Sequence, residues 1–292
     1  VAPAGAGGGW DMTARTVAKV MEETGIISQG MAVINKVGGG GSVGWAYVAD
    51  KAGDNHTMFV TSPPILLVPL NGQSELGHRD FNPIANITAD YGAFAVRADS
   101  PFNTMQDLIE SLKEDPHSIS IAGGSAPGSM DHIQFVKAVK KAGVDVKQIK
   151  YVSAPDGGGM SMLLGGQVEV YSTGMGEVVE QAKAGKIKVL AITAPERLKG
   201  DVISEFPTLK EQGIDDEFIN WRGFMGPPDM DPRAVEFYEQ AFKQMLETDN
   251  WKEQRDNFSW NDNYMDSDEF AAFLDQEYQA FEQLMKEIGL NQ

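Results

Sequence analysis

A chain of 292 residues exceeds one typical domain and suits two, and its 42% apolar content is enough to fill real cores. Its 42 acidic against 24 basic residues give a formal net charge of −18, which argues against the basic footprint that nucleic acid or an anionic membrane requires. With no cysteine, disulfides and thiolate metal sites are excluded and the redox compartment stays unread, while no apolar run approaches a membrane span.

Val1-Ala2-Pro3 reads as the inside of a strand already under way, so a leader and a few mature residues are expected to have been removed. The first helix is predicted from Asp11, a good N-cap, through Ala14, Val17, Ala18 and Met21 to a stop near Gly25. A strand at Ala32-Val33-Ile34, a helix over 42–50 and strands at 57–60 and 93–96 follow. Ser100-Pro101-Phe102 then breaks the pattern before a helix capped by Thr104, and the first crossing between domains is placed there.

The second block repeats the scheme. Strands are predicted at 119–122, 149–152, 168–171 and 189–192, with helices at 129–142, 160–164 and 177–184 between them. Pro207, Pro227 and Pro228 bracket Ile219 to Phe224, the return crossing, and Asp231-Pro232 is an N-cap followed by proline at the first helical position. The last helix carries Phe270, Phe273, Leu274, Tyr278, Phe281 and Leu284 at helical spacing, a stripe suited to packing the C-terminal helices back on the first domain. The expectation is an α/β protein of two lobes joined by two crossings, the organisation of a hinge-closing binding protein.

Glycine clusters sit where strands hand over to helices: Gly7-Gly8-Gly9, Gly38 to Gly41, Gly123-Gly124 and Gly157-Gly158-Gly159. Such junctions can present bare backbone N–H groups at the positive end of a helix, a site for carboxylate or phosphate that needs no basic side chain. Several of them are expected to converge on one cleft and bind a small, multiply charged anion, by local attraction since the bulk charge is repulsive.

Two catalytic motifs compete. Gly39 to Gly44 fits the dinucleotide pattern G-x-G-x-x-G, but the acidic residue wanted after the next strand is replaced by Thr61-Ser62. Gly40-Gly41-Ser42-Val43-Gly44 fits the hydrolase elbow G-x-S-x-G, leaving an α/β hydrolase acting on a carboxylate or ester as the alternative function. That alternative needs a late histidine, and only His56, His78, His117 and His132 exist, with no metal-ligand spacing.

Pro3 to Arg15, with Trp10-Asp11 after the glycines, resembles the opening motif of the periplasmic solute-binding receptors of tripartite tricarboxylate transporters, in their tricarboxylate-binding branch. Asn35 to Gly44, Ala122 to His132, Leu163 to Glu169, Pro207 to Gly213 and Asn220 to Gly223 are similar to that family in the same order, over nearly the whole chain. The resemblance implies a two-lobed type II periplasmic-binding fold, capture of a carboxylate in the interdomain cleft partly through ordered water, and delivery to a membrane permease. It implies an exported, non-catalytic monomer without cofactor or metal. The lobes would be 1–98 with 223–292, and 99–222. Citrate is the expected ligand, with tricarballylate, isocitrate, malate and aromatic diacids open.

The expected ligand-binding set is Gly8, Gly9, Trp10 and Asp11; Ser62 and Pro63; Gly124, Ser125, Gly128 and Ser129; Pro155, Gly157 and Gly158; and Thr173 with Arg222. Ser125 and Ser129 can add hydroxyls to the N–H groups, although Ser129 reads equally as an N-cap. Asp11 is favoured as an N-cap over a contact through bridging water or a ligand hydroxyl, since it would repel a carboxylate. Trp10 would wall the cleft. Arg222 is poised between bidentate binding of a second carboxylate and an interdomain salt bridge.

Overall fold

A computed structural model describes residues 1–154 and 158–290. The chain divides into two compact units, residues 1–89 with 221–292, and residues 90–220. In chain order the elements are α1 (Gly9–Glu23), α2 (Ser42–Ala49), β1 (Phe59–Thr61), α3 (Pro64–Leu70), β2 (Asn82–Arg97), α4 (Met105–Glu114), β3 (Ser120–Gly123), α5 (Met130–Lys141), β4 (Lys150–Ser153) and α6 (Gly158–Leu164). There follow β5 (Val170–Gly174), α7 (Val179–Lys183), β6 (Ile187–Ile192), β7 (Ile219–Gly226), α8 (Pro232–Glu247), α9 (Asp249–Asn257), β8 (Asn261–Met265) and α10 (Ser267–Ile288). The chain passes between the units twice, inside β2 and inside β7.

The first unit is built on β1-β7-β2-β8. β1 runs antiparallel to β7 with Val60 opposite Phe224, and β8 antiparallel to the early part of β2 with Thr88 opposite Asp262. Trp45, Phe59, Trp221, Trp251, Phe242 and Phe270 are fully buried, with Trp221 edge-on to Phe270 at 5.3 Å. α10 packs on α3, and α1 meets α8 and α9. The buried stripe of α10 is Phe270, Leu274, Phe281, Met285 and Ile288, while Phe273, Tyr278 and Leu284 are half-buried at its margin. Burial of each large apolar side chain contributes about 1.5–3 kcal/mol, so this stripe anchors the C-terminal helix.

The second unit has the order β6-β2-β5-β3-β4, in which β3 pairs parallel with both β4 and β5 while β2 pairs antiparallel with β5 and β6. One core face gathers Phe94, Ile121, Phe135, Val139, Val170 and Leu209 beneath α4 and α5; another gathers Tyr91, Leu163, Tyr171, Met175, Ile192 and Phe206. The parallel β3–α5–β4 arrangement places the turn before α5 at the carboxyl end of β3, where α/β units ordinarily present their ligand loops.

Some expectations change. No strand forms at Ala32 to Ile34; only a single bridge joins Ala2 to Asn35, and Ala32 and Ile34 are exposed. α1 begins at Gly9 with Gly8 as N-cap, so Asp11 is its third residue and not its cap.

Candidate functional site

In the first unit, the glycine loop ahead of α1 is held from below by Asp11. Its Oδ2 accepts the Gly7 N–H at 2.9 Å, both carboxylate oxygens accept from Arg15 Nε at 2.9 and 3.0 Å, and Oδ1 accepts from Asn35 Nδ2 at 2.8 Å. Asn35 also donates to the Ala4 carbonyl at 2.9 Å and accepts from Arg15 Nη2 at 3.0 Å. Burial pushes the Asp11 carboxyl up, but the hydrogen bonds from Arg15, Gly7 and Asn35 with the Arg15 charge outweigh it and hold it at about 2. The carboxylate is thus spent inside the loop and neutralised by Arg15. This corrects the capping role favoured for it.

Gly8, the N-cap of α1, offers no side chain to cap its first turn. Beside that turn lies Arg222 of β7, 8% exposed, with its guanidinium against Gly9: a methyl group on Gly9 would stand 2.7 Å from Nη2. A cation packed at the positive end of a helix is unfavourable by itself and makes a place where an anion is doubly stabilised. Trp10 donates from Nε1 to Ser62 Oγ at 2.9 Å, which fixes the indole beside the turn. The indole edge also approaches Gly41, where a Cβ would be 3.0 Å from Cη2, and Gly38 to Gly41 all have positive φ. Gly8, Gly9, Trp10, Asp11, Ser62 and Arg222 are therefore brought together, with Pro63 next to Ser62 as the residue before α3.

The second unit places Gly124, Ser125, Gly128 and Ser129 in one loop between β3 and α5. Its backbone N–H groups are largely used within the loop, contrary to the bare cradle expected. Ser125 N–H donates to Asp131 Oδ2 at 2.9 Å and Asp131 N–H donates back to Ser125 Oγ at 2.9 Å; Gly128 N–H donates to His132 Nδ1 at 3.0 Å and Ser129 N–H to the Ala126 carbonyl at 2.9 Å. Tyr151 OH donates to the Ser125 carbonyl at 2.8 Å and its ring stacks on His132 at 4.4 Å. Burial takes the His132 imidazole down to about 4, so it is neutral and can accept from Gly128.

Ser129 is the N-cap residue of α5, yet its hydroxyl makes no capping hydrogen bond. Gly124 has room beside it, the nearest atom to an added Cβ being Asp131 Oδ2 at 3.7 Å. Thr173 lies on β5, 1% exposed, and its carbonyl accepts from Gln134 Nε2 of α5 at 3.1 Å. Gly158 opens α6, while Pro155 and Gly157 lie outside the described residues. Gly159 serves packing, since a Cβ there would run into the Tyr171 ring.

The residues missed by the sequence reading are those that hold the loops: Arg15, Asn35, Asp131, His132, Gln134 and Tyr151. Only the i, i+4 spacing of Asp11 and Arg15 was a local signal for any of them. Ser42 lacks the context of a nucleophile elbow. A 3-10 turn over Gly39–Gly41, not a strand, precedes it, and it is the first residue of α2.

Residues 13–290 match the family described as "Tripartite tricarboxylate transporter family receptor". A "UPF0065 protein in gbd 5'region" of Cupriavidus necator is 29% identical over 290 residues, 98% of this chain and 85% of that protein. A TctC solute-binding protein from Polaromonas, solved without ligand, is 28% identical with a TM-score of 0.75, covering 98% of this chain and 96% of that one. MatC of Rhodopseudomonas palustris, solved with bound malate, shares the fold at a TM-score of 0.80 and 21% identity, covering 97% of this chain and 96% of that one. The α/β architecture is that of these solute-binding proteins.

Proposed function

The chain belongs to the family of tripartite tricarboxylate transporter receptors, and on that premise we propose that it captures a small di- or tricarboxylate outside the cytoplasm and delivers it to the membrane permease of such a transporter. The family is one of receptors and not of enzymes, and capture needs no nucleophile. Citrate heads the ligand list, with malate next because a neighbour of the same fold holds malate.

The observation that carries this reading is the pairing of the Arg222 guanidinium with the open first turn of α1 at Gly9, in a place where Asp11 is already neutralised by Arg15. One ligand carboxylate goes there, each charge-assisted hydrogen bond contributing about 1.5–3 kcal/mol. The Ser125–Ser129 loop, with the Ser129 hydroxyl, takes a second carboxylate or a hydroxyl, and Thr173 and Gly158 belong to the same lining. The receptor acts as a monomer.

A thermal-shift screen of citrate, tricarballylate, isocitrate, malate, monocarboxylates and uncharged solutes tests the proposal. A ligand at a hundredfold excess over its Kd stabilises by about 2.7 kcal/mol. Stabilisation by di- or tricarboxylates that is lost in Arg222→Ala supports it; stabilisation only by uncharged solutes or monocarboxylates refutes the ligand class.

A further inference from the structure

The two glycine loops are closed by the same device with opposite electrostatics. Asp11 is the third residue of α1 and Asp131 the second of α5, and each accepts an N–H from the loop ahead of its helix, Gly7 in one case and Ser125 in the other. Asp11 carries its own cation, Arg15. Among the described residues Asp131 has no ion-pair partner, and it is 4% exposed. What surrounds it is anionic or neutral: the Glu177 carboxylate after β5, the hydroxyls of Tyr151 on β4 and Tyr171 on β5, and neutral His132 beside it on α5. Glu177 is held towards this group by the Tyr171 hydroxyl at 2.9 Å, and Asp90 of β2 lies across Gly174 from it.

The hydrogen bonds of Asp131 leave one oxygen over. Oδ2 takes the Ser125 N–H, with the Gly124 N–H also directed at the carboxylate, whereas Oδ1 is buried without a hydrogen-bond partner. An ionised oxygen there costs far more than a protonated one. A ligand carboxylate arriving on the Ser125–Ser129 loop brings a second negative charge to the group, through a low-dielectric path that salt screens poorly.

We propose that capture of a carboxylate on the Ser125–Ser129 loop is coupled to uptake of a proton by Asp131, so that affinity declines as pH rises through neutrality. The proposal rests on the functional reading above. Burial, then the Glu177 charge, raises the Asp131 carboxyl to about 7, which puts the coupling in the physiological range. Below that pH the proton is already present and binding is level; above it, each bound carboxylate must draw a proton from solvent. Asp131 acts here as a positioning residue with a titratable charge, without touching the ligand.

Calorimetry with malate and with citrate at pH 6, 7 and 8, in two buffers of different ionisation heat, tests this on the whole chain. Wild type is expected to weaken by up to roughly tenfold between pH 7 and 8, while taking up close to about one proton per ligand at pH 8. Asp131→Asn keeps an acceptor for the Ser125 N–H and removes the titration, and the same acids serve as their own control for ligand ionisation. It is expected to bind equally at pH 7 and 8 without proton uptake. Glu177→Gln keeps an acceptor for the Tyr171 hydroxyl and removes a charge that raises the Asp131 carboxyl, so it is expected to move the decline to lower pH and to increase the proton uptake at pH 7. Parallel pH curves for wild type and Asp131→Asn, or no proton uptake at pH 8, overturn the coupling while leaving the receptor intact. A uniform loss of affinity in Asp131→Asn at every pH assigns the residue a purely structural role and also overturns it. Failure of every acid to bind wild type at any pH refutes the receptor's ligand class and this coupling with it.

Discussion

The Arg222 guanidinium rests against Gly9 so closely that a methyl group on Gly9 would stand 2.7 Å from Nη2. The absence of a side chain at one residue therefore sets the position of a charge on another, from a strand more than two hundred residues along the chain.

Gly9→Ala is expected to displace that guanidinium while leaving the helix formed, since alanine is favoured over glycine in helices by up to about 1 kcal/mol. Loss of one charge-assisted hydrogen bond then weakens dicarboxylate binding by about 1.5–3 kcal/mol. Titration calorimetry beside circular dichroism checks this, and native affinity in a folded variant would contradict the anchor.

Asp11 gives a prediction for acid stability. Its folded value, about 2, lies below the ordinary aspartate value of 3.8, so its contribution is fully present above the unfolded value and is lost as pH falls through about 2. Arg15 is half-exposed and screened, which limits the contribution to about 1–2 kcal/mol. Urea unfolding should show Asp11→Asn less stable than wild type at pH 6 and the gap closing at the acid end. A gap that persists unchanged at pH 2 would show that the loop does not depend on the ionised carboxylate.

Asp131 reverses that sign. Its folded value is raised above the unfolded one, so the folded state holds a proton that the unfolded state has released, and stability falls as pH rises from about 4 to about 7. Asp131→Asn should flatten that slope in thermal unfolding without ligand. An identical slope in the two proteins would place the titration elsewhere.

Gly124 and Gly159 separate a ligand role from a packing role. A Cβ on Gly124 would meet nothing closer than Asp131 Oδ2 at 3.7 Å, and Gly124→Val should leave the melting temperature near native while abolishing carboxylate binding. Gly159→Val drives a side chain into the Tyr171 ring and should lower stability by about 1–3 kcal/mol. Native-like binding by a folded Gly124→Val would remove that loop from the site.

Where chemistry is local, it was legible. Thr104 caps α4 in a reciprocal pair with Asp107, and Asp231 accepts from the Arg233 N–H ahead of α8, because the partner in each case lies two or three residues away. β2 was visible only in its later part, Ala93 to Val96. Its earlier part buries Asn86 and Thr88, whose side chains donate to the carbonyls of Asn263 and Asn261 in β8, so polar residues occupy positions that an apolar pattern would have marked. β8 itself, Asn261–Met265, carries little apolar signal for the same reason. The glycine loops of the candidate site were visible as composition, but what fixes them was not: Asn35 reaches Asp11 from 24 residues away and Tyr151 reaches Ser125 from 26.

The strand pairing of the first unit also bears on how the molecule is made. β1 and the early part of β2 leave the ribosome, or an export channel, well before their neighbours β7 and β8 exist, since Phe59 waits for Met225 and Asn86 for Met265. Residues 90–220 include every strand that β3, β4, β5 and β6 pair with, so they can organise as soon as they emerge. Until the final seventy or so residues are made, β1 and the early part of β2 lack the strands they pair with, so the time their edges stay unpaired is set by how fast that last stretch follows.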